Sequence, residues 1–476
     1  MRPGYLYFSI FIWLVCTGGR FTAPFLKEVA RFDDSMIGIA VAVQILLSSF
    51  LGSIGSVYAD RLEFKYPNGG RIAFLAGGLT LSTLSFMIHG LVFLLVDEEE
   101  QHLLCIGMHM VARVMYACFS SVIFPILDGI TLSYLKKHQG GSVSYGKERL
   151  FGAVAWAIVS IVLGPLLDSF GFGVFFLSAP AGCLIVLFTI AKFGQECIDY
   201  ERITEENTVN SETEMVEKRI IEQDEILSDE DLDEFEDNKE HSTPEIGSMY
   251  LLRAMISTYT ACGFIISSLT LNMGTSVVES LIFLYFESLG GSYTICGLTV
   301  LVTVIFEIPI FHYAPRLLTY FGAEALQKIA CVAYIFRVVA YTCIPQGHII
   351  FVLFFEPLHG VTYACSKTSS VEFAARISPT GYESSSQGLI SLIFGLGSVV
   401  GVSLGGWIEE ALGPEVLYRS YAGIVTIGLV IFYVTISMDA RLSPNREIEH
   451  DTCINTTYRE LSKKQSMEES EENHCV

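Results

Sequence analysis

The sequence predicts an all-α membrane protein in which about twelve transmembrane helices form two pseudo-symmetric six-helix bundles. Three observations lead there. The 476 residues are 51% hydrophobic with a mean hydropathy of +0.49, more apolar surface than a soluble chain of this length carries. A run from Phe193 to Ser248 holds 20 acidic residues against 4 basic ones, and it divides about six membrane-length apolar stretches from about six more. Finally, a short pattern around Tyr58 recurs around Tyr313.

An apolar stretch of about 20 residues crosses a bilayer as a helix, because unpaired backbone is too costly in lipid. Such stretches fall at roughly 4–26, 35–58, 71–96, 103–134, 149–168, 172–192, 263–287, 292–313, 328–345, 348–373, 387–408 and 416–437. The domains follow: 1–192 as an N-terminal bundle, 193–248 as a disordered acidic linker, 249–440 as a C-terminal bundle, and 441–476 as a disordered tail. The formal charge of −22 belongs mostly to the linker and tail, which solvate themselves and define no partner.

The repeat supports the division. Tyr58-Ala59-Asp60-Arg61-Leu62 closes the second span and Tyr313-Ala314-Pro315-Arg316-Leu317 closes the eighth. Further on, Arg71-Ile72-Ala73 matches Lys328-Ile329-Ala330, so the offsets of 255 and 257 agree within a small insertion. Internal repeats of this length are the signature of folds that place a binding site at the midplane between halves.

Orientation follows from basic residues in short loops. Arg61, Lys65, Arg71, Lys136, Lys137, Lys147, Arg149, Arg316, Lys328 and Arg376 lie on one side; Lys27, Arg31 and Arg419 lie on the other. The richer side is expected to be cytoplasmic, which places both termini and the linker there. Of the 12 cysteines, most sit inside apolar stretches and none forms a CxxC pair, so they read as small buried hydrophobes. No HExxH, GxSxG, P-loop or nucleotide fingerprint occurs, nor a basic patch for nucleic acid, so neither an enzyme nor a nucleic-acid binder is expected, and no cofactor or metal.

The informative residues are charges inside the spans, which are rare in lipid unless a partner or a wet cavity receives them. Arg20, Arg113, Asp128, Glu279, Glu307, Arg337, Glu356, His359 and Lys367 are the candidates. At about 100° per residue, Glu356, His359, Tyr363, Lys367 and Ser370 share an arc of about 80°. His109, Arg113, Tyr116 and Ser120 form another stripe with Asp128 at its edge, and Asn272, Ser276 and Glu279 a third. Several one-stripe helices together enclose a polar cavity. Ion pairs such as Glu356 with Arg337 would alternatively serve only to hold helices together. Glycines 395, 397, 401, 405 and 406 are read as sites of close helix approach.

Two stretches resemble known patterns. Ser56-Val57-Tyr58-Ala59-Asp60-Arg61 followed by Arg71 resembles the loop signature of the major facilitator superfamily, with Ser56 in place of the usual Gly. Asp60 and Arg61 then imply a latch between helix ends, a gating loop. Pro125-Ile126-Leu127-Asp128, Tyr145-Gly146-Lys147-Glu148-Arg149-Leu150-Phe151-Gly152 and Trp156 resemble the lactose permease branch and its eukaryotic relatives. That likeness implies that Asp128 and Arg149 clamp solute hydroxyls and that Trp156 stacks on a ring. Pro315 followed by Arg337, and Leu358-His359-Gly360, are similar to the same branch, whereas its proton-carrying carboxylate is replaced by Thr362.

The expectation is therefore a monomeric secondary active transporter for a sugar- or nucleoside-like solute, working by alternating access and coupled to protons. Arg20 and Arg113 join Asp128, Arg149 and Trp156 as substrate-binding candidates. Glu279, Glu307, Arg337, Glu356, His359 and Lys367 are the ion-pair and proton-coupling set, with Glu307 and Glu356 as the carriers. An uncoupled facilitator or exporter, and a transport-inactive receptor or scaffold of the same fold, are the alternatives.

Overall fold

The computed structural model describes residues 2–66, 69–95, 102–138, 145–192, 258–377 and 383–442. The acidic run up to Ser248, the tail beyond 442 and the side chain of Asp60 lie outside them. The regular structure of the described residues is helical. In chain order the helices are α1 (Gly4–Cys16), α2 (Thr22–Glu28), α3 (Asp34–Lys65), α4 (Gly70–Leu95), α5 (His102–Ser120), α6 (Ile123–His138), α7 (Tyr145–Phe170) and α8 (174–192). After the acidic run come α9 (Tyr259–Ser288), α10 (Tyr293–His312), α11 (Ala314–Tyr341), α12 (Val352–Phe355), α13 (Pro357–Ile377), α14 (Glu383–Leu412) and α15 (Pro414–Leu442).

Ten stretches among the described residues are long and apolar enough to cross a membrane. One of them, Lys147–Lys192, is 46 residues long, about twice what a bilayer needs, and contains nearly all of α7 and the whole of α8 around a 3₁₀ turn at Gly171–Gly173. Helix α11 is not among the ten, and it carries Glu324, Lys328 and Arg337 after a break at Gly322, whose φ is 74°. Leu103, Leu177 and Phe354 are among the large apolar side chains turned outward, where lipid and not water suits them.

Local chemistry sets the ends. Asp33 accepts from the Met36 amide at 2.7 Å and Thr258 from Ala261 at 3.0 Å, capping α3 and α9. Three expected spans are discontinuous. The first breaks between α1 and α2, where Gly18 and Gly19 adopt φ of 116° and 50° and leave Arg20 in a 3₁₀ turn. The expected 103–134 span divides into α5 and α6 just before Pro125. The tenth divides at Glu356, because Pro357 supplies no amide hydrogen to the preceding turn.

Helices from the two sides of the acidic run meet mainly in two pairs, α3 with α14 and α7 with α10. Each crossing has a glycine set against the backbone of the other helix. A Cβ on Gly406 would lie 2.5 Å from the Asp34 carbonyl oxygen, and one on Gly297 would lie 2.4 Å from that of Ser160. Only bare α-carbons allow backbones this near. Carboxylates fasten one end of each pair. Asp168 accepts from the amides of Tyr293 and Thr294 at 2.7 and 2.9 Å, neutralising the N-terminus of α10. Glu28 accepts from the Tyr293 hydroxyl at 2.6 Å, and Glu410 from the Ser35 amide at 3.0 Å.

Candidate functional site

The charges within the spans come from both sides of the acidic run. On the N-terminal side, α6 presents Asp128, half-buried, which accepts a hydrogen bond from the Tyr7 hydroxyl of α1. Arg149 opens α7 and is exposed. Trp156, two turns further on, packs edge-on to Phe11 with ring centroids 5.9 Å apart. Its far edge reaches the break in the first span: a Cβ on Gly19 would lie 3.4 Å from Trp156 Cη2. Arg20, the next residue, reaches across to α9, with its guanidinium carbon 4.9 Å from the centre of the Phe283 ring.

Glu279 stands one turn before Phe283. It retains accessible surface although protein surrounds it. Its charge is felt with those of Arg20, Arg337 and Lys367. Lys367 on α13 is placed likewise, accessible but enclosed, within electrostatic reach of Arg149, Asp128 and Glu279. Glu307 on α10 is half-buried and interacts with Glu279 and Arg149. Six charged residues thus form one electrostatically linked set, with Trp156 at the Gly19 break beside Arg20, and they come from helices far apart in sequence.

Arg337 lies behind this group and is fully buried at 0% exposure. Its guanidinium carbon sits 5.7 Å from the ring centres of both Tyr334 and Tyr341. Glu356, 1% exposed, accepts from the Tyr341 hydroxyl at 2.8 Å and from the Thr303 hydroxyl at 2.9 Å, with His359 Nδ1 at 3.6 Å. The anticipated direct pairing of Glu356 with Arg337 is therefore replaced by a relay through Tyr341. Two hydroxyl donors already satisfy the carboxylate, and the tyrosine ring occupies the space beside the guanidinium.

Arg113 on α5 belongs to a separate patch. It donates to the Gln44 side chain of α3 and lies 5.0 Å over the Tyr116 ring, whose hydroxyl is 2.9 Å from Thr17 Oγ1. One turn earlier, His109 meets His89 of α4 with Nδ1 atoms 2.8 Å apart and rings nearly parallel at 15°. Arg61 is exposed near the end of α3. The residues that sequence reasoning did not single out are Tyr7, Gln44, His89, Thr303 and Tyr341 around the charges, and Asp168 and Glu28 at the closed end. His89 alone carried a visible signal, as the single histidine of the third span.

Long apolar helices, broken at three places and closed around converging charges, define a multi-pass membrane protein of the transporter class. The family model described as the MFS_1 like family matches residues 6–420, and the chain belongs to that family, within the major facilitator superfamily of secondary transporters. The maltose permease of Geobacillus stearothermophilus is 22% identical over 401 residues, covering 84% of each chain. Among solved structures, the nucleoside transporter NupG superposes with a TM-score of 0.64 at 13% identity, over 91% of this chain and 99% of that one. A D-xylose-proton symporter superposes at 0.59 and 13% identity, over 91% and 95%. These likenesses fix the fold as that of a transporter.

Proposed function

We propose that the protein is a secondary active transporter of a small polar solute, sugar- or nucleoside-like, which it moves together with a proton by alternating access. Twelve membrane helices in two six-helix halves, 1–192 and 249–440, rock about the α3–α14 and α7–α10 crossings, with 193–248 as a cytoplasmic joint and both termini on that side. The observation that carries the reading is the electrostatic linkage of Asp128, Arg149 and Arg20 with Glu279, Glu307 and Lys367 across the two sides of the acidic run, with Trp156 at the Gly19 break beside Arg20. A solute bridging the two sets contacts both halves, so its arrival and departure are tied to their relative position.

Roles follow from side-chain chemistry. Asp128, accessible beyond its bond to Tyr7, accepts from solute hydroxyls. Arg149 offers a planar fork of donors to the same groups. Trp156 covers a ring face. Glu356 is closed off, with two hydroxyl donors already bound to it. Glu279 and Glu307, reachable from the interior, are the better proton carriers. Asp60 and Arg61 act as a latch at the cytoplasmic end. On this orientation the end fastened by Asp168 and Glu410 faces away from the cytoplasm.

Purified protein in liposomes, offered labelled maltose, xylose and uridine, tests the reading. Accumulation of at least one of them, lost in Asp128→Asn and Arg149→Lys, is expected. An uncoupled facilitator equilibrates a solute without concentrating it, and a receptor or scaffold moves none.

A further inference from the structure

Two guanidinium groups in this interior have donors with nothing to bind. None of the three Arg337 nitrogens has a hydrogen-bond partner, and the side chain is 0% exposed. Arg20 Nε and Nη2 are also buried and without a partner. Each group lies over aromatic rings, Arg20 over Phe283 and Arg337 over Tyr334 and Tyr341, and a continuous file of rings joins them: Phe283 to Phe286 at 6.3 Å and Phe286 to Tyr341 at 5.5 Å. The rings hold the two cations but satisfy none of their N–H donors. A buried guanidinium left in this condition is costly, and structures that keep one supply an acceptor.

No carboxylate among the described residues supplies it. Glu356 is taken by Tyr341 and Thr303. Glu279 feels both cations yet forms neither a hydrogen bond nor an ion pair with either. Arg20 belongs to the break in the first span and Arg337 to α11, so the two groups come from opposite sides of the acidic run.

We propose that Arg20, with the buried charge of Arg337 behind it, receives an acidic substituent of the solute, a carboxylate or phosphate, which makes the transported species an organic anion with a polar ring. This rests on the transporter reading above and specifies its solute. The chemistry matches: an oxyanion presents the paired acceptors that a guanidinium fork requires. The geometry fits a ring acid, because Trp156 abuts Gly19 beside Arg20, so a ring against Trp156 places its substituent toward the guanidinium. Glu279 is the internal competitor for the same two cations. When a solute carboxylate enters, Glu279 takes up one proton to become the neutral acid, and the charge of the site is unchanged. The proton leaves with the solute when Glu279 ionises again.

The test uses the purified full-length protein and calorimetric titration at mildly acidic pH with glucose, glucuronate, glucose 6-phosphate, uridine and uridine 5′-monophosphate. At least one acid is expected to bind about tenfold or more tightly than its neutral counterpart. In Arg20→Gln the acid is expected to bind no more tightly than its neutral counterpart. Glu279→Gln, which removes the competing charge, tightens the acid severalfold, a gain that a damaged fold does not produce. The relative strength of glucuronate and glucose 6-phosphate tells carboxylate from phosphate. Neutral members binding as well as or better than every acid, Glu279→Gln failing to tighten the acid, or no binding by any of the five overturns the assignment. Uptake of a neutral member by the same preparation would in that case leave the transporter reading standing.

Discussion

The Tyr341 hydroxyl donates to Glu356 Oε1 at 2.8 Å while the centre of the same ring lies 5.7 Å from the Arg337 guanidinium. One side chain thus serves a buried anion with its polar tip and a buried cation with its face. Tyr341→Phe keeps the face and removes the tip. With Thr303 as its remaining hydroxyl donor, Glu356 loses about 1–3 kcal/mol of support. Thermal unfolding in detergent should show the loss. Thr303→Val should behave alike, and the double variant should cost more than the sum of the singles, because the second change leaves Glu356 with no hydroxyl donor.

The closed end depends on bare backbone. Gly297→Val puts side-chain atoms where the Ser160 carbonyl oxygen is only 2.4 Å from an added Cβ. The α7–α10 crossing must then separate. Cys296, fully buried beside it, becomes a reporter. Maleimide labelling of Cys296, followed by mass spectrometry, is expected to rise several-fold in Gly297→Val and to stay at background in the parent.

Asp168 fastens the same end electrostatically, with two amides and the Thr294 hydroxyl in its grip. Asp168→Ala removes an N-terminal cap of about 1 kcal/mol, up to about 2. The opening equilibrium is expected to shift by roughly five- to thirtyfold toward the separated state, and Cys296 labelling should increase without the steric wedge that Gly297→Val introduces. Unchanged labelling would mean that this contact does not hold the end shut.

Trp156 and Gly19 form one wall. Gly19→Val adds bulk 3.4 Å from Trp156 Cη2, at a backbone φ of 50° that β-branched residues adopt poorly. It should abolish solute binding and shift the Arg20 turn. Trp156→Phe keeps part of the aromatic surface and should weaken binding less than Trp156→Ala. Calorimetric titration of all three against the solute identified in uptake assays ranks them.

The membrane helices were legible because apolar length is a direct record of the bilayer, and Gly171 with Gly173 marked the boundary between α7 and α8. The break at Gly18 and Gly19 was also written in the chain, but a span judged by its apolar content alone reads through two glycines. Helix α11 starts at Ala314, before the expected 328, but the break at Gly322 sets its first piece apart, and the piece after the break carries Lys328 and Arg337. In the site, the charges announced themselves by their rarity in lipid. The hydroxyls of Tyr7, Thr303 and Tyr341 did not, since such groups commonly bond within their own helix, as Thr299 does to Cys296 at 2.7 Å. Helical arithmetic placed Glu356 on a stripe but held no information on which neighbouring helix would insert Tyr341 beside it. Asp168 was hidden for a related reason: a single acid at a helix end has meaning only once the N-terminus it caps is in place.

The central claim is that solute and proton share the interior around Glu279. Solute-driven proton movement in liposomes containing a trapped pH dye measures it directly. Addition of the transported solute should acidify the lumen in the parent protein. Glu279→Gln should leave solute exchange intact and abolish the acidification. Solute uptake with no pH change in the parent, or an unaltered pH change in Glu279→Gln, would contradict the account.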